Sequence, residues 1–202
     1  MSRRARLVPL ALAGLVTVAL ALSGCTSGDS LADQYRAGSG KGYIAGDGSV
    51  TEIPAEDRGD AVEFDGTLED GSTVSSADYA GEVLVVNFWY ASCAPCRAEA
   101  PDLKTISEQF ADQGASFLGV NVRDQPASAI AFNDNYGISY PSVMDVDGGG
   151  MQLAFSGNIP PNAVPTTLVL DSSGRVAARI LGQVNSPSIL KTLIEDTIAE
   201  DG

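Results

Sequence analysis

"EVLVVNFWYASCAPCRAEAP", residues 82–101, is the stretch on which the reading of this chain turns. Its first half is a nearly continuous apolar run, rich in Val and aromatic residues and bounded upstream by Gly81, which suits a strand buried on both faces. After Cys93 the period changes. In "APCRAEAPDLKTISEQFADQG" Leu103, Ile106 and Phe110 fall on one helical face, Pro95 is tolerated in a first turn, Pro101 predicts a kink, and Gly114 can end the element. Cys93 and Cys96 lie at the junction. A cysteine at a helix N-terminus meets backbone N–H groups and the positive end of the helix dipole, so its thiolate is favoured. Cys96, one turn further on, is expected to be the more buried and to attack a mixed disulfide formed by Cys93.

The remaining cysteine, Cys25, has a different setting. Arg3, Arg4 and Arg6 precede an uncharged apolar run over residues 7–22, and Leu22-Ser23-Gly24-Cys25 follows. This pattern resembles a bacterial lipoprotein signal peptide over residues 1–24, with Cys25 the lipidated N-terminus after cleavage. An uncleaved transmembrane anchor is the alternative, but the run is shorter than the ~20 residues a span needs. Either reading leaves the rest of the chain outside the cytoplasm. Lipidation removes Cys25 from thiol chemistry, so Cys93 and Cys96 form no disulfide framework. A self-contained zinc site lacks its second pair of ligands, because the chain has no histidine and no other cysteine. A zinc shared between chains or completed by carboxylates stays open. A purely structural disulfide would close a loop too short to stabilise much. Redox chemistry is the favoured reading.

The 202 residues suffice for one ordinary domain with a terminal extension. Net charge is −14, and without the three leader arginines nine basic residues face 26 acidic ones, a balance of −17. Such a surface repels nucleic acid and anionic lipid headgroups. Residues 25–60, rich in Gly, Ser, Asp and Ala without a sustained period, read as a flexible tether, and residues 61–202 as the domain. An ordered extension along the domain, with a small hairpin near Gly46-Asp47-Gly48, is the other reading of that segment.

Within the domain, "AVEFDGTLEDGSTVS" reads as two short strands around a Gly turn, "SSADYAG" as one helical turn and "ASFLGVNV" as a second buried strand. "QPASAIAFNDNYG" reads as an amphipathic helix, and "PSVMDVDGGGMQLAFS" as a short strand, a turn and a short helix. "TTLVLDSSGRVAARILG" is a hairpin whose second strand sets Val176, Ala178 and Ile180 against Ala177 and Arg179. A last helix over about 186–199 carries Ile189, Leu190, Leu193, Ile194 and Ile198 as its apolar stripe. This order is an α/β sandwich with a mixed central sheet flanked by helices.

With strand, C-x-x-C, helix and final hairpin in this order, the sequence resembles the thioredoxin superfamily, which also holds the AhpC/TSA and redoxin proteins. Within it, the chain looks like the ResA/TlpA group of membrane-tethered thiol-disulfide oxidoreductases. "VVNFWYASCAPCRAEAP", "FLGVNV", "YGISYPSVMD" and "VPTTLVLDSSGRV" carry the likeness, over about residues 61–199. The resemblance implies a thioredoxin-like sandwich and a redox-active disulfide between Cys93 and Cys96. It implies a cis bond before Pro165, whose loop presents backbone to a thiol partner, and at Glu99 a carboxylate that exchanges protons with the thiols. A solvated helix charge is the plain alternative for Glu99. No cofactor and no metal are implied. The implied partners are protein thiols or disulfides, apocytochrome c among them, and a membrane thiol electron donor. The group usually has an aromatic residue immediately before the first cysteine, where this chain has Ser92, so partner choice and potential do not transfer. A thiol peroxidase is a rival, disfavoured because its Thr-x-x-Cys signature meets Tyr90 at the threonine position. A copper-binding or metallochaperone-binding module is another, and the lack of histidine and of a methionine cluster counts against it.

Overall fold

A computed structural model describes residues 48–160 and 162–201. The expected leader, Cys25 and the tether as far as residue 47 lie outside the described residues. In chain order come β1 (Ser49–Glu52), β2 (Asp65–Thr67), β3 (Thr73–Ser75), a 3-10 turn (Ser76–Tyr79), β4 (Val83–Trp89) and α1 (Ala94–Phe110). They are followed by β5 (Ala115–Asn121), α2 (Pro126–Tyr136), β6 (Ser142–Met144), α3 (Gly150–Ala154), β7 (Thr166–Leu170), β8 (Val176–Leu181) and α4 (Pro187–Asp201).

The main sheet runs in the order β1-β8-β7-β4-β5-β6. β4, β5 and β6 are parallel, while β7, β8 and β1 add antiparallel strands, which makes the sheet mixed as the element order implies. All seven residues of β4 are buried. Its alternation explains this: Leu84, Val86 and Phe88 pack with Phe64, Leu118, Met151 and Phe155 on one face. Val83 and Val85 face the other way, onto Leu103, Ile106 and Phe110 of α1 and Leu190 and Ile194 of α4. A strand covered on both sides shows no polar alternation, except at Asn87.

The segment read as a tether belongs in part to the domain. Its residues 49–52 pair antiparallel with β8, and the Ile53 N–H donates to the Ala177 carbonyl at 2.7 Å. Arg58 donates to the Asp171 carboxylate at 3.1 Å and to Glu200. The composition hides this, because edge pairing uses backbone groups and leaves the side chains of β1 exposed. Two smaller differences follow from packing. Ile189 is exposed, and buried Thr197 joins Leu190, Leu193 and Ile194 on the inward face of α4. Ala177 is buried along with Val176, Ala178 and Ile180, so β8 is covered on both sides there. α1 is continuous through Pro101, and Gly114 takes a positive φ of 89° in the loop beyond its end.

Candidate functional site

β4 ends at Trp89, and the chain turns through Tyr90, Ala91 and Ser92 into Cys93, the N-cap residue of α1. Two anchors shape this turn. The Asp124 carboxylate accepts the Ala91 N–H at 2.6 Å and the Asn121 side-chain amide at 2.9 Å. The Arg123 guanidinium lies 4.3 Å from the centre of the Tyr90 ring. Trp89 packs on Phe132 with ring centres 4.3 Å apart and donates its indole N–H to Ser142 at 3.3 Å.

Cys93 and Cys96 are joined as a disulfide. The Cys96 backbone N–H donates to the Cys93 sulfur at 3.2 Å, the contact expected of an N-cap residue. That donor and the helix end favour negative charge on Cys93 when the bond opens. The expected difference in burial is not seen: Cys93 is 0% exposed and Cys96 2%. The bond draws the sulfurs together beneath a cover to which Tyr90, Ala100 and Val164 contribute. Ser92 and Ala94 on either side of Cys93 are exposed, while Cys93 itself is buried. The Val164–Pro165 bond is cis, as the resemblance implies. The Pro165 carbonyl accepts the Gly182 N–H at 2.9 Å, tying its loop to the end of β8.

Glu99 lies one turn below Cys96 and is 1% exposed, so it is no solvated helix charge. One carboxylate oxygen accepts the Asn87 amide at 3.0 Å and the other the Val184 backbone N–H at 2.8 Å. Asn87 also donates to the Thr167 hydroxyl at 3.1 Å. Burial pushes the Glu99 carboxyl up to about 7, against the pull of the Val184 and Asn87 donors, with the Asp102 charge adding to the rise. A carboxyl that titrates near neutrality on the same helix as the pair can take up or give a proton during thiol chemistry. Tyr140 is held far above its ordinary range by burial first and by the Glu99 charge second.

The structure therefore brings Cys93, Cys96 and Glu99 together on the first turns of α1, with Pro165 on the neighbouring loop. Asn87, Val184 and Asp124 were given no role in the sequence reading, and Thr167 entered it only within the Val164-Pro165-Thr166-Thr167 segment. Only Asn87 carried a signal, as a lone polar residue inside "VLVVNFW". Among the described residues no cluster of metal-ligating side chains is present.

Residues 54–194 match the Redoxin family model. The chain is similar to the thiol-disulfide oxidoreductase ResA of Bacillus subtilis, with 29% identity over 124 residues, or 60% of this chain and 66% of that protein, just under two thirds of its length. Among solved structures it is similar to a DsbF homologue from Corynebacterium diphtheriae, at 33% identity and a TM-score of 0.66, covering 75% of this chain and 94% of that one. A secreted thiol-disulfide isomerase from Corynebacterium glutamicum is similar at 30% identity and a TM-score of 0.69, covering 78% and 96%.

Proposed function

The chain belongs to the redoxin family and has a thioredoxin-like fold, and from that premise we propose that it is a thiol-disulfide oxidoreductase acting on protein cysteines. In this reading the protein works outside the cytoplasm, held to the membrane by lipid on Cys25. Cys93 is the sulfur that exchanges with a partner and Cys96 the one that resolves the mixed disulfide. Glu99 holds or supplies a proton, and the cis-Pro165 loop receives the partner's backbone. The observation that carries this reading is the disulfide capping α1, followed one turn later by a buried carboxyl with a pKa of about 7.

The exchange is chemically complete without a cofactor. A thiolate attacks Cys93, the Cys93–Cys96 bond breaks, and Cys96 leaves as a thiolate that can be protonated. Run in the other direction, the Cys93 thiolate attacks a partner disulfide and expels one partner thiolate, and the Cys96 thiolate then attacks Cys93 and expels the other. Apocytochrome c is the client class we propose, by the likeness to the ResA group, with a membrane thiol protein as electron donor.

Replacing one cysteine at a time tests the roles. Cys96→Ala keeps the attacking sulfur and loses resolution, so mixed disulfides through Cys93 should accumulate, whereas Cys93→Ala should trap none. Trapping in the opposite pattern would reverse the assignment. Trapping in neither variant would reduce the pair to a structural disulfide.

A further inference from the structure

Cys96 lines a small pocket of about 10 Å³, room for about one water molecule, together with Asn87, Trp89, Phe132, Asn133 and Tyr140. Asn133, on α2, is the member whose chemistry is unfinished. Its side-chain N–H donates to one oxygen of Glu69 at 3.2 Å, and the other Glu69 oxygen accepts the Ser142 backbone N–H at 2.7 Å. Both Glu69 oxygens accept in these bonds, so turning the amide over would set two acceptors against each other. The contact with Glu69 thus fixes which way the amide points. Its other end, Oδ1, is buried and has no hydrogen-bond partner among the described residues. Leaving a buried carbonyl unpaired costs free energy, and such a group calls for an explanation.

The redox cycle supplies one. In the disulfide Cys96 has no proton to donate, whereas in the dithiol it does. We propose that Asn133 is a positioning residue for the second sulfur: on reduction the Cys96 thiol turns into the space the two residues share and donates its hydrogen bond to the Asn133 side-chain carbonyl. This rests on the resolving role assigned to Cys96 above. In a full exchange a partner dithiol gives two electrons and two protons. Its first thiolate attacks Cys93 and expels Cys96 with the electron pair of the broken bond; its second attacks the mixed disulfide and releases Cys93. The partner ends as a disulfide, Cys96 ends protonated with Asn133 favouring the proton there, and the second proton passes to Cys93 or to solvent. The helix end meanwhile favours thiolate on Cys93, so the two sulfurs are set apart in acidity. The ionisable groups around Cys96 are Cys93 and Glu99 on its own helix and Tyr140 from the segment before β6, with Glu69 behind Asn133.

Asn133→Leu keeps the branched shape with bulkier ends and removes the acceptor, together with the donor to Glu69. Two measurements are made on wild type and variant: the equilibrium with a glutathione redox buffer, and the pH profile of alkylation at each cysteine, read by mass mapping. Loss of one hydrogen bond to the dithiol should lower the equilibrium constant for reduction roughly three- to tenfold; a tenfold loss equals a potential about 30 mV more negative. The Cys96 profile should move to lower pH, and by more than that of Cys93. Glu69→Gln is the second variant, since its amide can donate to Asn133 Oδ1 and turn the Asn133 N–H groups toward the pocket. It should shift the potential in the same direction. Unchanged potential and Cys96 profile in both variants, with only thermal stability lowered, would overturn the inference and leave Asn133 a packing residue. A wild-type pair that does not cycle with glutathione at all would overturn the functional reading, and this inference with it.

Discussion

Glu99→Gln isolates the one carboxyl that burial has moved into the neutral range. In the folded protein Glu99 titrates at about 7, against 4.5 for an exposed glutamate. The folded state therefore binds more protons than the unfolded state between those values, and the stability linked to protonated Glu99 is full below about pH 4.5 and lost as pH rises through about 7. At about 1.4 kcal/mol per pKa unit, the loss across that window comes to about 3 kcal/mol. Because Glu99 is 1% exposed, solvent screening removes little of it. Glutamine stays neutral throughout. Its amide can be met if Asn87 turns its carbonyl toward it, since the Thr167 hydroxyl can donate as well as accept. Urea unfolding of the oxidised proteins, in which neither thiol titrates, should show the wild type losing about 3 kcal/mol relative to the variant between pH 4 and pH 8.5. Stability curves that run parallel over this range would refute the argument. In the reduced proteins the same substitution should move the alkylation profiles of both cysteines together, because coupled groups titrate as a unit. Superimposable profiles would strike Glu99 from the site.

Cys25→Ala should release the protein from the membrane fraction or block its maturation; an unchanged, lipid-labelled variant would end the lipoprotein proposal. Arg58→Ala should cost about 2 kcal/mol in urea unfolding at pH 7, below the range typical of a broken buried pair, because Arg175 still donates to Asp171. Burial raises the Asp171 carboxyl, but the backbone of Arg175 and the two guanidinium groups hold it below 3.8, so this contribution should be present above that pH and fade as pH falls further. Gly119→Ala should cost about 1–3 kcal/mol, because the added Cβ would sit 2.2 Å from the Ser142 hydroxyl and 2.8 Å from the Trp89 indole nitrogen, within the hydrogen bond that orients Trp89. A thermal midpoint equal to wild type would show that the contact relaxes freely.

The sequence by itself determined what depends on neighbours along the chain. The nearly continuous apolar run of β4, the 3.6-residue stripe of Leu103, Ile106 and Phe110, the cysteine at the helix start and the Val-Pro-Thr-Thr segment are local patterns, and each stands where it was read. Ile189 marks the limit of that kind of reading, since a stripe says which residues share a face and not how wide the covered face is. The tertiary structure alone decided what Glu99 is. Its charge meets Val184, 85 residues on, and Asn87, which in turn reaches Thr167, 80 residues on from itself. Desolvation and these donors together set its acidity, and no spacing in the chain encodes them. The same holds for β1, whose place rests on backbone hydrogen bonds that every residue type can make, and for the unpaired carbonyl of Asn133, which exists only because α2 sets Asn133 against Glu69 and beside the pocket that Cys96 shares.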